Sequence, residues 1–324
     1  MTFKEKLRKH SVDLTDMSNT YAKILIYADS GIGKTVLSGT ASTWKDPNLE
    51  PLKKEYNIKP YVFFVSLERG VLSLKNKQFA DIIDLTAINC QELENFADFN
   101  DYYEFLYTHR AAVKKFLAYA KAGDKEKAEK ALDFIYNLEF DGERGDNEVR
   151  IYHTIVIDSI TENQKRSMDR ILAIKHNEGT GGTFGAKVDF DTKNAATLPD
   201  YGTNTNQLRK LVRAFRDMEI NVIYTAMLGT DEDKDSGRIN EYRPALTDKL
   251  AQDVKGFVDV IGYYFLDNGK DKNAEPVRKL LVQPIPKYMA KDRSGSLGKV
   301  VNNPTIPMIF GKVIDGLVKI ENQK

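Results

Sequence analysis

One cysteine, Cys90, stands in 324 residues, so no disulfide can form within the chain, and no Cys/His pairing has the spacing of a structural zinc site. Cys90 itself reads as an inert, partly buried thiol. No run of eighteen apolar residues occurs, which removes a membrane-spanning helix from the candidates. The opening residues Met1 to Lys9 lack the apolar stretch of a secretory signal, and the expected location is the cytoplasm. Charge of one sign is also lacking. Lys and Arg number 48 against 47 Asp and Glu, a net charge of +1, so bulk charge points to neither nucleic acid nor membrane. No internal repeat or low-complexity tract is visible. No Asn-Lys-x-Asp element follows an apolar strand, which excludes a Ras-like reader of guanine.

Against these absences stand 41% hydrophobic and 29% charged residues, a composition that folds around a sizeable core. Ala28, Asp29, Ser30, Gly31, Ile32, Gly33, Lys34 and Thr35 follow the apolar run Ile24–Tyr27 and lead into Val36, Leu37 and Ser38. This is a phosphate-binding loop of the Walker A kind, with Ala28 where the usual pattern has glycine. Gly31 and Gly33 let backbone N–H groups curl around a triphosphate, and a helix starting near Lys34 turns its positive end toward the same anion. Lys34 is expected to reach the β- and γ-phosphates, and the Thr35 hydroxyl to hold Mg²⁺. The expected nucleotide-binding stretch is therefore Ala28 to Val36.

Further short apolar runs, Tyr61–Val65, Thr154–Ile157 and Ile220–Thr225, alternate with helix-like segments. Continuous β-branched runs of this length read as strands buried on both faces, and the alternation predicts an α/β fold with a mainly parallel sheet. Val258–Leu266 and Arg278–Gln283 flank an Asn-Gly loop, so the sheet is expected to end in antiparallel strands. Between the second and third core strands, Leu106, Val113, Leu117 and Ala120 recur at helical spacing, with Phe105 and Phe116 beside them. Residues 91–148 therefore read as a helical insertion in a core of 21–310, flanked by an extension, 1–20, and a tail, 311–324. Residues 229–243, crowded with charges, and the glycine-rich 177–185 read as irregular.

Two carboxylates end apolar runs. Asp158 closes Thr154–Ile157 as a Walker B aspartate does, placed to hold Mg²⁺ beside the loop; as an N-cap for the next helix it would need no ligand. Glu68 lies just past Tyr61–Val65, where it could polarise a water for attack on the γ-phosphate.

The order of Walker A, Glu68, and Ile157-Asp158-Ser159 resembles the RecA-type ATPase core. It is similar in particular to the compact phage-encoded RecA-like ATPases, the phage nucleotide-binding proteins that include Sak-type single-strand annealing proteins. Asp200, Tyr201 and Gly202 before the amphipathic Leu208–Met218, the strand Asn221–Thr225, and Lys291, Asp292, Arg293, Ser294, Gly295 all add to the likeness. The resemblance implies that Glu68 activates water and that Lys291 and Arg293 reach the nucleotide of a neighbouring subunit. It also implies an ATP- and Mg²⁺-dependent homo-oligomer, a ring or filament in the host cytoplasm. That oligomer would act on single-stranded DNA in recombination or annealing, with a single-strand-binding protein as a further partner. Thr225, Ala226 and Met227 stand where relatives carry a His or Gln that senses the γ-phosphate. The expected DNA loops are 174–199 and 229–243; the first is near neutral and the second acidic. Arg209, Arg213 and Arg216 form a stripe open to DNA, a partner or water. Two other readings stay open: an ATP-dependent assembly or loading factor in DNA replication, and a small-molecule phosphotransferase with residues 229–243 as a lid.

Overall fold

The computed structural model describes residues 21–68, 70–93, 95–180, 196–233, 236–269 and 275–318. Ten strands follow from the apolar runs. They are β1 (Lys23–Ala28), β2 (Ile58–Ser66), β3 (Ile88–Glu92), β4 (Val149–Asp158), β5 (Asn221–Glu232), β6 (Ile239–Pro244), β7 (Val260–Asp267), β8 (Val277–Leu281), β9 (Lys291–Asp292) and β10 (Val300–Asn302). The ladder order is β10-β8-β7-β1-β5-β4-β2-β3, with β6 also paired to β5 and β9 to β7. Pairings from β7 through β1, β5, β4 and β2 to β3 are parallel, and those of β6, β8, β9 and β10 are antiparallel. The mainly parallel sheet with antiparallel strands near the C-terminus is thus present.

Seven helices cover it among the described residues: α1 (Lys34–Gly39), α2 (Asp98–Lys121), α3 (Lys125–Tyr136), α4 (Ile160–Thr180), α5 (Leu198–Asp217), α6 (Asp248–Phe257) and α7 (Ile306–Val318). All six residues of β1 are buried, as a central parallel strand requires. Alternate side chains feed two layers. Leu25, Ile155, Ile157 and Tyr224 pack with Leu208, Leu211 and Phe215 of α5 and Leu250 of α6. Ile24, Ile26, Val156 and Ile223 pack with Leu37 of α1 and Ile309 and Phe310 of α7.

The helical excursion has its own core, in which Val113 and Phe116 of α2 and Leu132 of α3 close on Ile58 and Ile151 of the sheet. The strand β3 occupies residues 88–92, so the stretch expected to turn helical at Gln91 first adds an edge strand beside β2. Cys90 lies on that edge, exposed as a residue although its sulfur is partly covered. Its thiol is pushed up to about 11, by burial of the sulfur first and by Glu92 next, so it stays protonated at neutral pH. Residues 229–243 are regular where they are described: β5 runs on to Glu232 and returns as β6, a charged hairpin instead of an irregular loop. The helix α7 crosses the expected tail boundary at residue 311, with Val313 only 1% exposed. No helix among the described residues is long and apolar enough to cross a membrane.

Candidate nucleotide site

Chemistry collects at the C-terminal tips of β1, β4 and β2. The loop after β1 turns through Gly31 at φ 80° and Gly33 at φ 105°, a left-handed region that glycine enters without cost. Gly33 caps α1, and its carbonyl accepts from the Leu37 N–H at 2.9 Å. Lys34 is 7% exposed, and its ammonium donates to the carbonyls of Ala28 at 3.1 Å and Asp29 at 3.0 Å. Burial lowers its proton affinity, against the pull of Glu68, Asp158 and Asp29.

One strand, β5, separates β1 from β4, and across it the Thr35 hydroxyl donates to Asp158 Oδ2 at 2.7 Å. The other oxygen, Oδ1, accepts from the Thr225 hydroxyl. Asp158 is 2% exposed, and burial raises its pKa while both threonine bonds oppose the rise. A carboxylate spent on two side chains in this way is not acting as an N-cap.

Glu68 is exposed beyond β2 and accepts a hydrogen bond from the Ser159 hydroxyl, the residue after Asp158. Its loop is held twice: Leu67 N–H donates to the Asp158 carbonyl at 2.8 Å, and Arg166 of α4 donates to the Leu67 carbonyl at 2.7 Å. The loop then folds back over the threonine. A Cβ on Gly70 would lie 3.2 Å from Thr35 Oγ1 and 4.0 Å from Asp158 Oδ2. The bare glycine therefore leaves a small oxygen-lined recess beside the bonded hydroxyl and carboxylate. Hydroxyl and carboxylate oxygens are the donor set that Mg²⁺ prefers, so Thr35 and Asp158 fit that ion. Gly70 and Arg166 carry no sequence signal of their own; only the return of the chain reveals them.

The position left without His or Gln has another occupant. Met227 Sδ lies 3.3 Å from the Lys34 ammonium, and Thr225 is spent on Asp158.

Lys291 and Arg293 are not brought to this place. The strand β9 pairs at Val260 and Ile261, beside Ile24 at the start of β1. That is the far end of β1 from Ala28, about 13 Å away along a strand rising about 3.3 Å per residue. There Lys291 donates to the carbonyls of Lys255 at 2.8 Å and Val258 at 2.7 Å. Arg293 binds Asp259 at 2.8 Å and the Gly256 carbonyl at 3.2 Å. Both cations cap the C-terminal end of α6, where the helix dipole favours positive charge.

The arginine stripe is also spent within the chain. Arg209 pairs with Asp253 through Nε at 2.7 Å, while Arg213 and Arg216 lie 5.9 Å and 5.0 Å from the Phe257 ring. In the expected DNA segment 174–199, residues 181–195 are outside the described ones, and Lys175 pairs with Asp200 at 3.0 Å. Asp200 also caps α5 in a reciprocal box with Thr197, and these bonds hold its carboxyl down at about 2.

The sequence matches the AAA domain family over residues 20–294, which takes in every strand from β1 to β9. The chain belongs to the AAA domain family. Membership of that family supports nucleotide binding of the P-loop NTPase kind. A comparison with curated proteins found no match.

Proposed function

We propose that this AAA domain hydrolyses ATP with Mg²⁺, transferring the γ-phosphoryl group to water. The observation that carries the reading is the contact of Thr35 with Asp158 next to the contact of Ser159 with Glu68. On this reading, Asp158 joins Thr35 in holding the ion, and the next residue, Ser159, holds the proton acceptor Glu68. Loop amides and Lys34 hold the phosphates. Thr35 and Asp158 would hold Mg²⁺, which when bound would offset phosphate charge. Glu68 takes the proton of the water that attacks the γ-phosphorus, and the bond to the β-phosphate oxygen breaks as ADP leaves. The test is phosphate release from ATP with and without Mg²⁺. Turnover that ignores Mg²⁺, or phosphate passed only to a small-molecule acceptor, would overturn it.

A finer reading places this activity on single-stranded DNA, in an oligomer serving phage recombination or annealing. The motif order supports it, and so does one surface observation. Tyr242 stacks on Tyr288 at 4.8 Å, Tyr288 tilts against Tyr263 at 4.8 Å, and Tyr263 stacks on Phe265 at 5.3 Å. All four rings are partly exposed, and such rings suit the stacking of unpaired bases. On this reading, single-stranded DNA raises ATP turnover; an assembly or loading factor that acts on proteins alone would show no change.

A further inference from the structure

The sheet order gives the nucleotide a direction. Asp158 on β4 and Glu68 beyond β2 lie on one side of β1, and β7 and β8 lie on the other. The γ-phosphate end of a bound nucleotide points to the carboxylates, so its nucleoside end leaves toward β7 and β8. From that side comes a cation to which sequence reasoning gave no role. Arg278 on β8 donates through Nε to the carbonyl of Ile32 in the P-loop at 3.2 Å. The same nitrogen lies 3.7 Å from where a Cβ on Gly33 would stand. Leu280, two residues on and so on the same face of the strand, is buried with Leu37 of α1. Arg278 therefore approaches on the face that carries α1, where the phosphates lie. The bond to Ile32 uses Nε alone, and a guanidinium has four further N–H donors. An exposed arginine directed onto an anion-binding loop can meet a phosphate oxygen in a charge-assisted bond.

We propose that Arg278 is a nucleotide-binding residue that contacts the α-phosphate, at the opposite end of the phosphate chain from Lys34, Thr35 and Glu68. This rests on the nucleotide-binding reading of the P-loop. Its role is affinity, shared by ATP and ADP because both carry the α-phosphate, and it does not touch the bond that breaks.

The experiment is equilibrium binding of ADP, ATP and inorganic pyrophosphate to the full chain and to Arg278→Ala, with Arg278→Gln as a second variant. One lost charge-assisted bond at an exposed site corresponds to about tenfold weaker binding. The expected result is that loss for ADP and ATP alike, in either variant. Pyrophosphate fills only the β and γ positions, so its affinity should hold. Equal weakening of pyrophosphate would mean that Arg278 merely braces the loop, and would overturn the proposal. Weakening of ATP without ADP would place the cation at the γ end and overturn it as well. Unchanged affinity for all three ligands overturns this inference alone, whereas a wild-type chain that binds no ADP overturns the P-loop reading with it.

Discussion

Two clusters of charge sit at opposite ends of β1, built from the same residue types and put to different uses. At the start of the strand, Lys23, Lys291 and Arg293 gather around Asp259. Lys23 donates to the carbonyl of Met218 at 2.7 Å and to that of Ile220, while Lys291 and Arg293 finish α6. Each cation there closes a helix end or the loop behind it, and the charge is consumed by the fold. At the far end, Lys34, Thr35, Asp158 and Glu68 converge from three separate strands onto one space. Local cation spacing cannot tell these situations apart. What distinguishes them is the direction of the strands: in a parallel sheet the carboxyl ends open outward into loops, and ligands bind there.

The sharpest way to break the comparison is to remove one lysine from the loop end. Lys34→Ala should lose ATP binding in an equilibrium titration while the melting temperature moves by no more than about 2 °C. Retained binding would put the loop in the same class as the other end. Next in size, Glu68→Gln should keep ATP affinity and lose about 10² to 10⁴ in turnover, the range of general-base assistance. A loss below about tenfold in steady-state phosphate release would return Glu68 to solvent.

The opposite end should answer in stability instead. Burial drops the Lys23 pKa from 10.5 to about 7, with Asp259 opposing the drop. Between those two values the unfolded chain binds more protons than the folded one, so stability rises with pH there. The slope is at most about 1.4 kcal/mol per pH unit. Below about pH 7 the lysine is charged in both states and the cost is fully felt. Melting curves of wild type and Lys23→Met from pH 7 to 9 should therefore diverge, with wild type gaining as pH rises; parallel curves would count against it. The smallest effect is expected from Arg293→Ala. Its ion pair with Asp259 is half exposed, with 52% of the arginine side chain accessible. It should contribute about 0.5 kcal/mol and nothing to turnover. A fall of about 10³ in hydrolysis would instead identify an arginine acting on a neighbour's nucleotide.

Most of the loop end was legible in the chain. The P-loop is local, and Thr154–Ile157 ending at Asp158 is a continuous apolar run, so both strands and both chemical residues could be read from composition. Strand β3 could not: Ile88, Asn89, Cys90, Gln91 and Glu92 form a polar edge, buried on neither side, with no apolar run to mark it. The β5–β6 hairpin hid for the opposite reason, because its cross-strand partners carry charges that read as a loop. Gly70 and Arg278 act on the P-loop from 35 and more positions away in sequence, and nothing in their neighbours announces it. Lys291 and Arg293 were visible as a pair, but the carbonyls that claim them belong to a helix whose end only the fold locates.

Asp158 and Ser159 are adjacent residues on a single strand tip. The first is joined to the P-loop threonine and the second to the glutamate. A force applied to that tip, through α4 or through a neighbour pressing on it, would displace both joints together. Ion and water would then be lost or gained as a pair.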